Sequence, residues 1–232
     1  MSDDTEKTVL AEREVPVWDL GVRFFHWALV LLVITSIVTS QIGGNALTYH
    51  AWSGYAILTL LIYRILWGVA GGTHARFANF IRGPGAVVAY MKGMFDRKQH
   101  GPSLGHNPMG ALSVVAMLLV LLFQATSGLF VNDDIAFEGP LYRFVGKEVS
   151  DKLMSLHQLN KRVIIGLVAL HLAAIAFHWF YHKESLVRPM ITGVKRVAGA
   201  VGTSRQGSTV LALLLLGGSA VGVYFLINAA KQ

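Results

Sequence analysis

The residues best suited to chemistry in this 232-residue chain are its nine histidines, and they are unevenly placed. His157 and His171 share one helical stretch, 14 residues apart. In an α-helix that spacing returns to within about 40° of the same face and separates the two rings by about 21 Å along the axis. His26 opens an earlier apolar run and His50 opens the next one, which travels in the opposite direction. His50 therefore falls level with His157, and His26 level with His171. The pairs His26–His171 and His50–His157 follow from topology and depth.

Neutral imidazole is a good ligand for haem iron, and two axial imidazoles leave no open position for a substrate. Such a centre exchanges electrons and does little else. A lone interfacial histidine has a plainer use as a polar anchor or a helix–helix hydrogen bonder. Four at paired depths favour iron ligation, because ionisable side chains within a membrane are rare and need partners. The expected cofactors are thus two non-covalent haem b groups held by His26, His50, His157 and His171. His178 is a rival inner ligand, but it lies seven residues past His171, which leaves only about 10 Å along the axis between irons. Its neighbours Trp179 and Tyr181 mark it as part of an interfacial aromatic belt. His74, His100, His106 and His182 read as solvated loop residues, with His106 as an alternative cap for the third span.

The elements that must position these rings are membrane helices. The chain is 53% hydrophobic, its mean hydropathy is +0.52, and only 14% of its residues are charged, against about 25% for soluble domains. Five stretches reach the roughly 20 residues that a spanning helix needs: 22–41, 51–70, 111–131, 163–181 and 209–229. None holds Asp or Glu, and Arg64 is the clear cation within them. The net charge of +7 lies in loops flanking these runs. That is the membrane pattern, and it argues against nucleic acid as a partner. With no cysteine, thiolate clusters, disulfides and covalent c-type haem are excluded.

The expected fold is an all-α integral membrane protein, a four-helix haem-binding bundle plus a fifth C-terminal spanning helix. Its parts are an N-terminal segment 1–21, a di-haem domain 22–182, a linker 183–208 and the last helix 209–232. Lys and Arg counts place the N-terminus and the linker on the cytoplasmic side of a bacterial inner membrane and the C-terminus in the periplasm. The segment before the first span lacks the order of a signal peptide. Residues 82–98 read as an amphipathic helix on the inner surface or as a disordered loop. Arg64 and Arg162, with Arg23 and Lys161, are the cations expected near haem propionates. Gly54, Gly128 and Gly166 lie near the ligands and offer room for a macrocycle.

The segments Arg23-Phe24-Phe25-His26-Trp27, Tyr49-His50-Ala51-Trp52-Ser53-Gly54-Tyr55 and Gly105-His106-Asn107-Pro108-Met109-Gly110, with His157 and His171, resemble the bacterial cytochrome b561 superfamily. The likeness covers about residues 15–195. It implies a bundle with two bis-histidine haems, paired as above, and electron exchange with a quinone at one haem and a redox partner at the other. The acidic loop 132–156 is a docking surface for a basic periplasmic protein such as a c-type cytochrome. Alternatives are a membrane anchor subunit of a hydrogenase-like complex and a quinone-linked superoxide oxidase, the latter using Lys147, Lys152, Lys161 and Arg162 to attract the anion. The fifth span departs from the four-span relatives. Oligomeric state is not legible from the sequence.

Overall fold

The computed structural model describes residues 12–96, 104–135, 137–198 and 204–229. Lys7, Arg97, Lys98, His100 and Lys231 lie outside them. Among the described residues, five helices are long and apolar enough to cross a membrane. The first, α1 (Leu20–Ile42), starts where the Asp19 carboxylate accepts the Val22 amide at 2.9 Å. It stops at Gly43 and Gly44, both at positive φ, a conformation that side chains with a Cβ resist. That tight reversal launches α2 (Ala46–Ala70) antiparallel to α1.

Two short helices follow, α3 (Phe77–Phe80) and α4 (Pro84–Gly93). The latter occupies part of the segment expected to be amphipathic or disordered. Helix α5 (Pro108–Ser127) ends four residues before the limit set by hydropathy, because the chain turns at Gly128. Helix α6 (Lys147–Phe177) begins well before its apolar run. It continues into a π-helical turn, His178–His182, closed by Lys183 at φ +57°. Helix α7 (Val187–Thr192) leads to strand β2 (Val194–Ala198), and α8 (Thr209–Ala229) closes the described chain.

Strand β1 (Glu12–Pro16) pairs antiparallel with β2, Pro16 opposite Val194 and Glu14 opposite Arg196. Hydropathy had offered no strand here. The ribbon ties the segment before the first span to the one after the fourth, so both ends of the four-helix unit are latched together.

Helix α2 is the centre of the bundle. Ile57, Leu58, Leu60, Leu61, Tyr63 and Trp67 supply part of each apolar cluster, packing against α1, α5, α6 and α8. The other spans expose large apolar side chains such as Leu31, Leu119, Leu172 and Leu213. Such surfaces suit hydrocarbon, where backbone groups must be satisfied within each helix. Helix α8 packs chiefly on α2.

Buried Asp19 organises the end of the bundle where α1 begins. Besides capping α1, it accepts the Trp67 indole N–H at 3.0 Å and the Gly72 amide at 3.1 Å. Gly207, before α8, sits so close that a Cβ would meet the Trp67 ring at 2.3 Å and the Asp19 carboxylate at 3.0 Å. Asp19→Ala strands three donors together, and unsatisfied buried donors cost about 1–3 kcal/mol each before relaxation. We expect a loss of about 3 kcal/mol, read as a lower unfolding temperature by circular dichroism in detergent. An unchanged melting curve would refute this role.

Candidate functional site

The four predicted histidines come together as two facing pairs at opposite ends of the bundle. His26 on α1 faces His171 on α6 with ring centroids 6.5 Å apart and planes at 52°. His50 on α2 faces His157 on α6 at 6.2 Å and 83°. Asn107 and Asp19 cap the helices that frame these rings, so local chain-reversal chemistry sets where each span starts. His178 is not brought to His26. It lies buried in the π-helical turn, 3.6 Å from the Glu184 carboxylate.

The outer surroundings of one pair are built from serines. His50 donates its Nδ1–H to the Ser36 carbonyl at 2.9 Å. Ser127, buried on α5, donates its hydroxyl to the Gln124 carbonyl at 3.1 Å. Its oxygen therefore accepts the His157 Nδ1–H at 3.0 Å. Both rings are thereby held in the tautomer whose Nε2 carries the free lone pair, the arrangement that orients metal-binding imidazoles. Asn160 locks α6 to α5 nearby, donating to the Val120 carbonyl and the Gln124 side chain. A Cβ on Gly128 would touch the His157 ring at 3.2 Å, whereas Gly54 and Gly166 face open space. His26 Nδ1 is enclosed and has no partner.

Arg64 is buried, and its Nη1 has no partner. Its guanidinium lies over Phe77 at 4.9 Å and reaches Phe25 at 6.0 Å. Arg162 is exposed on α6. Arg23 instead donates to the Ile191 carbonyl, and Trp27 to Met190 at 3.2 Å, latching α7 onto α1.

Two residues read as solvated loop histidines are half-buried, each with one ring nitrogen closed off from solvent. His106 sits between Trp18, 4.6 Å away, and Phe80, 4.4 Å away. Burial first, then Arg64 and His74, pushes its imidazole down to about 3. His74 lies 6.4 Å from Trp18 and is shifted downward by burial. The cap of α5 is Asn107, which accepts the Gly110 amide at 2.6 Å, and not His106. Nothing in hydropathy separates an enclosed loop histidine from a solvated one; the Gly-His-Asn-Pro run was the available signal.

Glu184 was also missed, because it follows the span. The chain folds it back onto His178, and Lys195 of β2 completes the cluster. Nearby His178, then Lys195, holds this carboxyl down at about 2. At the other end, Lys147 pairs with Asp134 and Asp151, and Lys152 with Glu148. These exposed pairs join three of the five carboxylates of the acidic loop to two of the four expected cations.

A bundle of membrane helices with inward-facing histidine pairs is the architecture of an integral membrane cytochrome. The sequence pattern of the prokaryotic cytochrome b561 family matches residues 17–193, and the chain belongs to that family. A probable Ni/Fe-hydrogenase B-type cytochrome subunit from Rhizobium leguminosarum bv. viciae is 22% identical over 229 residues, spanning 83% of this chain and 93% of that one. No solved structure matches. The chain is therefore a multi-pass membrane b-type cytochrome, an electron-transfer protein of a family that uses haem b.

The geometry accommodates such a group. Two imidazoles on opposite sides of one iron, with bonds of about 2.0 Å and ring centroids about 1.1 Å further out, stand about 6.2 Å apart. Both facing pairs match that separation. Among the described residues no cluster of three or more His, Asp or Glu could hold a bare ion, and paired ligands suit a porphyrin that brings its own four nitrogens.

The Glu184 cluster yields a pH prediction. A carboxyl held below its ordinary value stabilises the fold above the unfolded value of 4.5, and this contribution fades as pH falls toward about 2. Glu184→Gln should cost on the order of 2 kcal/mol at neutral pH. The gap between variant and wild-type melting temperatures should close across that acidic window. A gap that stays constant would contradict the assignment.

Proposed function

We propose that this cytochrome carries electrons across the bacterial inner membrane through two bis-histidine haems, between a periplasmic redox partner such as a c-type cytochrome and the membrane quinone pool. The observation that carries this reading is the pair of facing imidazole couples, 6.5 and 6.2 Å apart, at opposite ends of one bundle. Haem supplies a one-electron iron centre at each. His26 and His171 hold the inner one, and His50 and His157 the outer. Ser36 and Ser127 fix the outer rings, and Arg64 offers a cation toward the haem carboxylates. The surplus of Lys and Arg on the loops beside the N-terminus supports a cytoplasmic N-terminus and a periplasmic C-terminus.

Quinone exchange is assigned to the inner pair. His178 and Glu184 form a polar couple at that end of α6, the carboxylate held ionised by His178 and Lys195. A second reading, a membrane anchor subunit of a hydrogenase-like complex, is favoured by the name of the Rhizobium relative. Co-purification of a large iron–sulfur or nickel protein would select it over a free-standing cytochrome. Of the four cations in the superoxide alternative, Lys147 and Lys152 pair with neighbouring carboxylates.

Purified protein should yield two protohaems per chain in a pyridine haemochrome assay. Loss of either His157 or His171 should remove one of them. The unequal ring-plane angles, 83° and 52°, should give two separate low-spin ferric signals in electron paramagnetic resonance, the outer one more anisotropic. One haem per chain, or a single signal that survives both substitutions, would defeat the di-haem reading. A quinol analogue should reduce the haems in a stopped-flow experiment; failure with either haem would remove the quinone arm alone.

A further inference from the structure

Several polar atoms at the His26 end are enclosed and unmatched. Arg64 Nη1, His74 Nε2 and His106 Nδ1 have no hydrogen-bond partner. They are one neighbourhood. Arg64 and His74 both act electrostatically on His106, and ring contacts run from Arg64 over Phe77 to Phe80, His106 and Trp18. Asp19 lies near Arg64 but already receives Val22, Trp67 and Gly72. A buried guanidinium with an idle donor, beside two imidazoles with idle nitrogens, is expensive unless an anionic acceptor sits among them.

The chain also spends structure on keeping His74 and His106 in place. Gly105 lets the backbone pass His74, where a Cβ would come within 2.8 Å of its Nδ1. Asn107 and Pro108 start α5 immediately after His106, and Trp18 and Phe80 clamp its ring. Arg64 reaches Phe25, the residue next to His26. With Trp18 against both imidazoles, the neighbourhood lies at the end of the bundle where α1 begins, the end that His26 occupies.

We propose that Arg64, His106 and His74 together form the seat for the carboxylates of the porphyrin held by His26 and His171. The two histidines act as neutral N–H donors beside the cation, so Gly-His-Asn-Pro serves cofactor anchoring as well as helix capping. This rests on the di-haem reading. Removing a donor from a porphyrin carboxylate leaves more negative charge near the iron, which favours the ferric form and lowers its midpoint potential.

The test is spectroelectrochemical titration of the haem-loaded protein in lipid nanodiscs. His106→Ala should lower the midpoint of the haem component that His26→Ala abolishes and leave the other unmoved. His106→Gln, which keeps a donor, should restore most of the shift. In a second arm, wild-type protein is loaded with iron porphyrin whose carboxylates are methyl esters. Retention at that site should fall about ten-fold, and the penalty should shrink in the His74→Ala/His106→Ala double variant. Unchanged midpoints, a shift in the outer component, or equal retention of acid and ester would overturn the proposal. So would a variant effect that follows the anionic-lipid content of the nanodisc, which would assign the seat to a lipid headgroup. A wild-type protein with no His26-dependent haem would instead remove the reading beneath it.

Discussion

An imidazole ring placed in lipid must find partners for both of its nitrogens, and much of this bundle answers that demand. At one end Ser36 and Ser127 each take an Nδ1–H, from His50 and His157. The two rings stand 6.2 Å apart, a separation that suits one iron atom between them. Holding four rings in that way requires helices whose depths are set to within about a turn. The fold supplies this with side-chain caps, a double-glycine reversal between α1 and α2, and an asparagine–glutamine lock between α5 and α6.

The division of labour among helices follows. Helix α6 carries one ring of each pair, so it must be long and straight across both depths. Helices α1 and α2 each carry one mate and run antiparallel. Helix α5 brings no ring, and its work is to carry Ser127 and Gln124. Helix α2 is the most enclosed span because it packs against α1, α5, α6 and α8, whereas its companions face lipid. The Arg64 side chain hangs from its enclosed end, where Phe25 and Phe77 cover the cation.

Helical periodicity and hydropathy made the spans and the depth-matched rings legible, because both are properties of position along one axis. The His157–His171 spacing alone implied two sites on one face. What was hidden arises where the chain returns on itself. His106 and His74 look solvated until Trp18 and Phe80 fold over them. Glu184 lies beyond its span until the π-helical turn and the αL residue Lys183 swing it back to His178. The β1–β2 ribbon joins segments nearly the whole chain apart, which no local pattern reports. Within the acidic loop, Lys147 and Lys152 pair with Asp134, Asp151 and Glu148, three of its five carboxylates, which sequence spacing alone did not report.

The knot around Asp19 draws on three distant parts of the chain: the approach to α1, the end of α2 with Gly72, and the Gly207 stretch before α8. A ribosome emits the last of these only after four spans have left it. Contacts of such long sequence separation close late. The end of the bundle beside His26 is thus completed only when the Gly207 stretch and the fifth helix reach it. Entry of a bulky prosthetic group at that end is compatible with this order of events, and the fifth helix would then govern when that end closes.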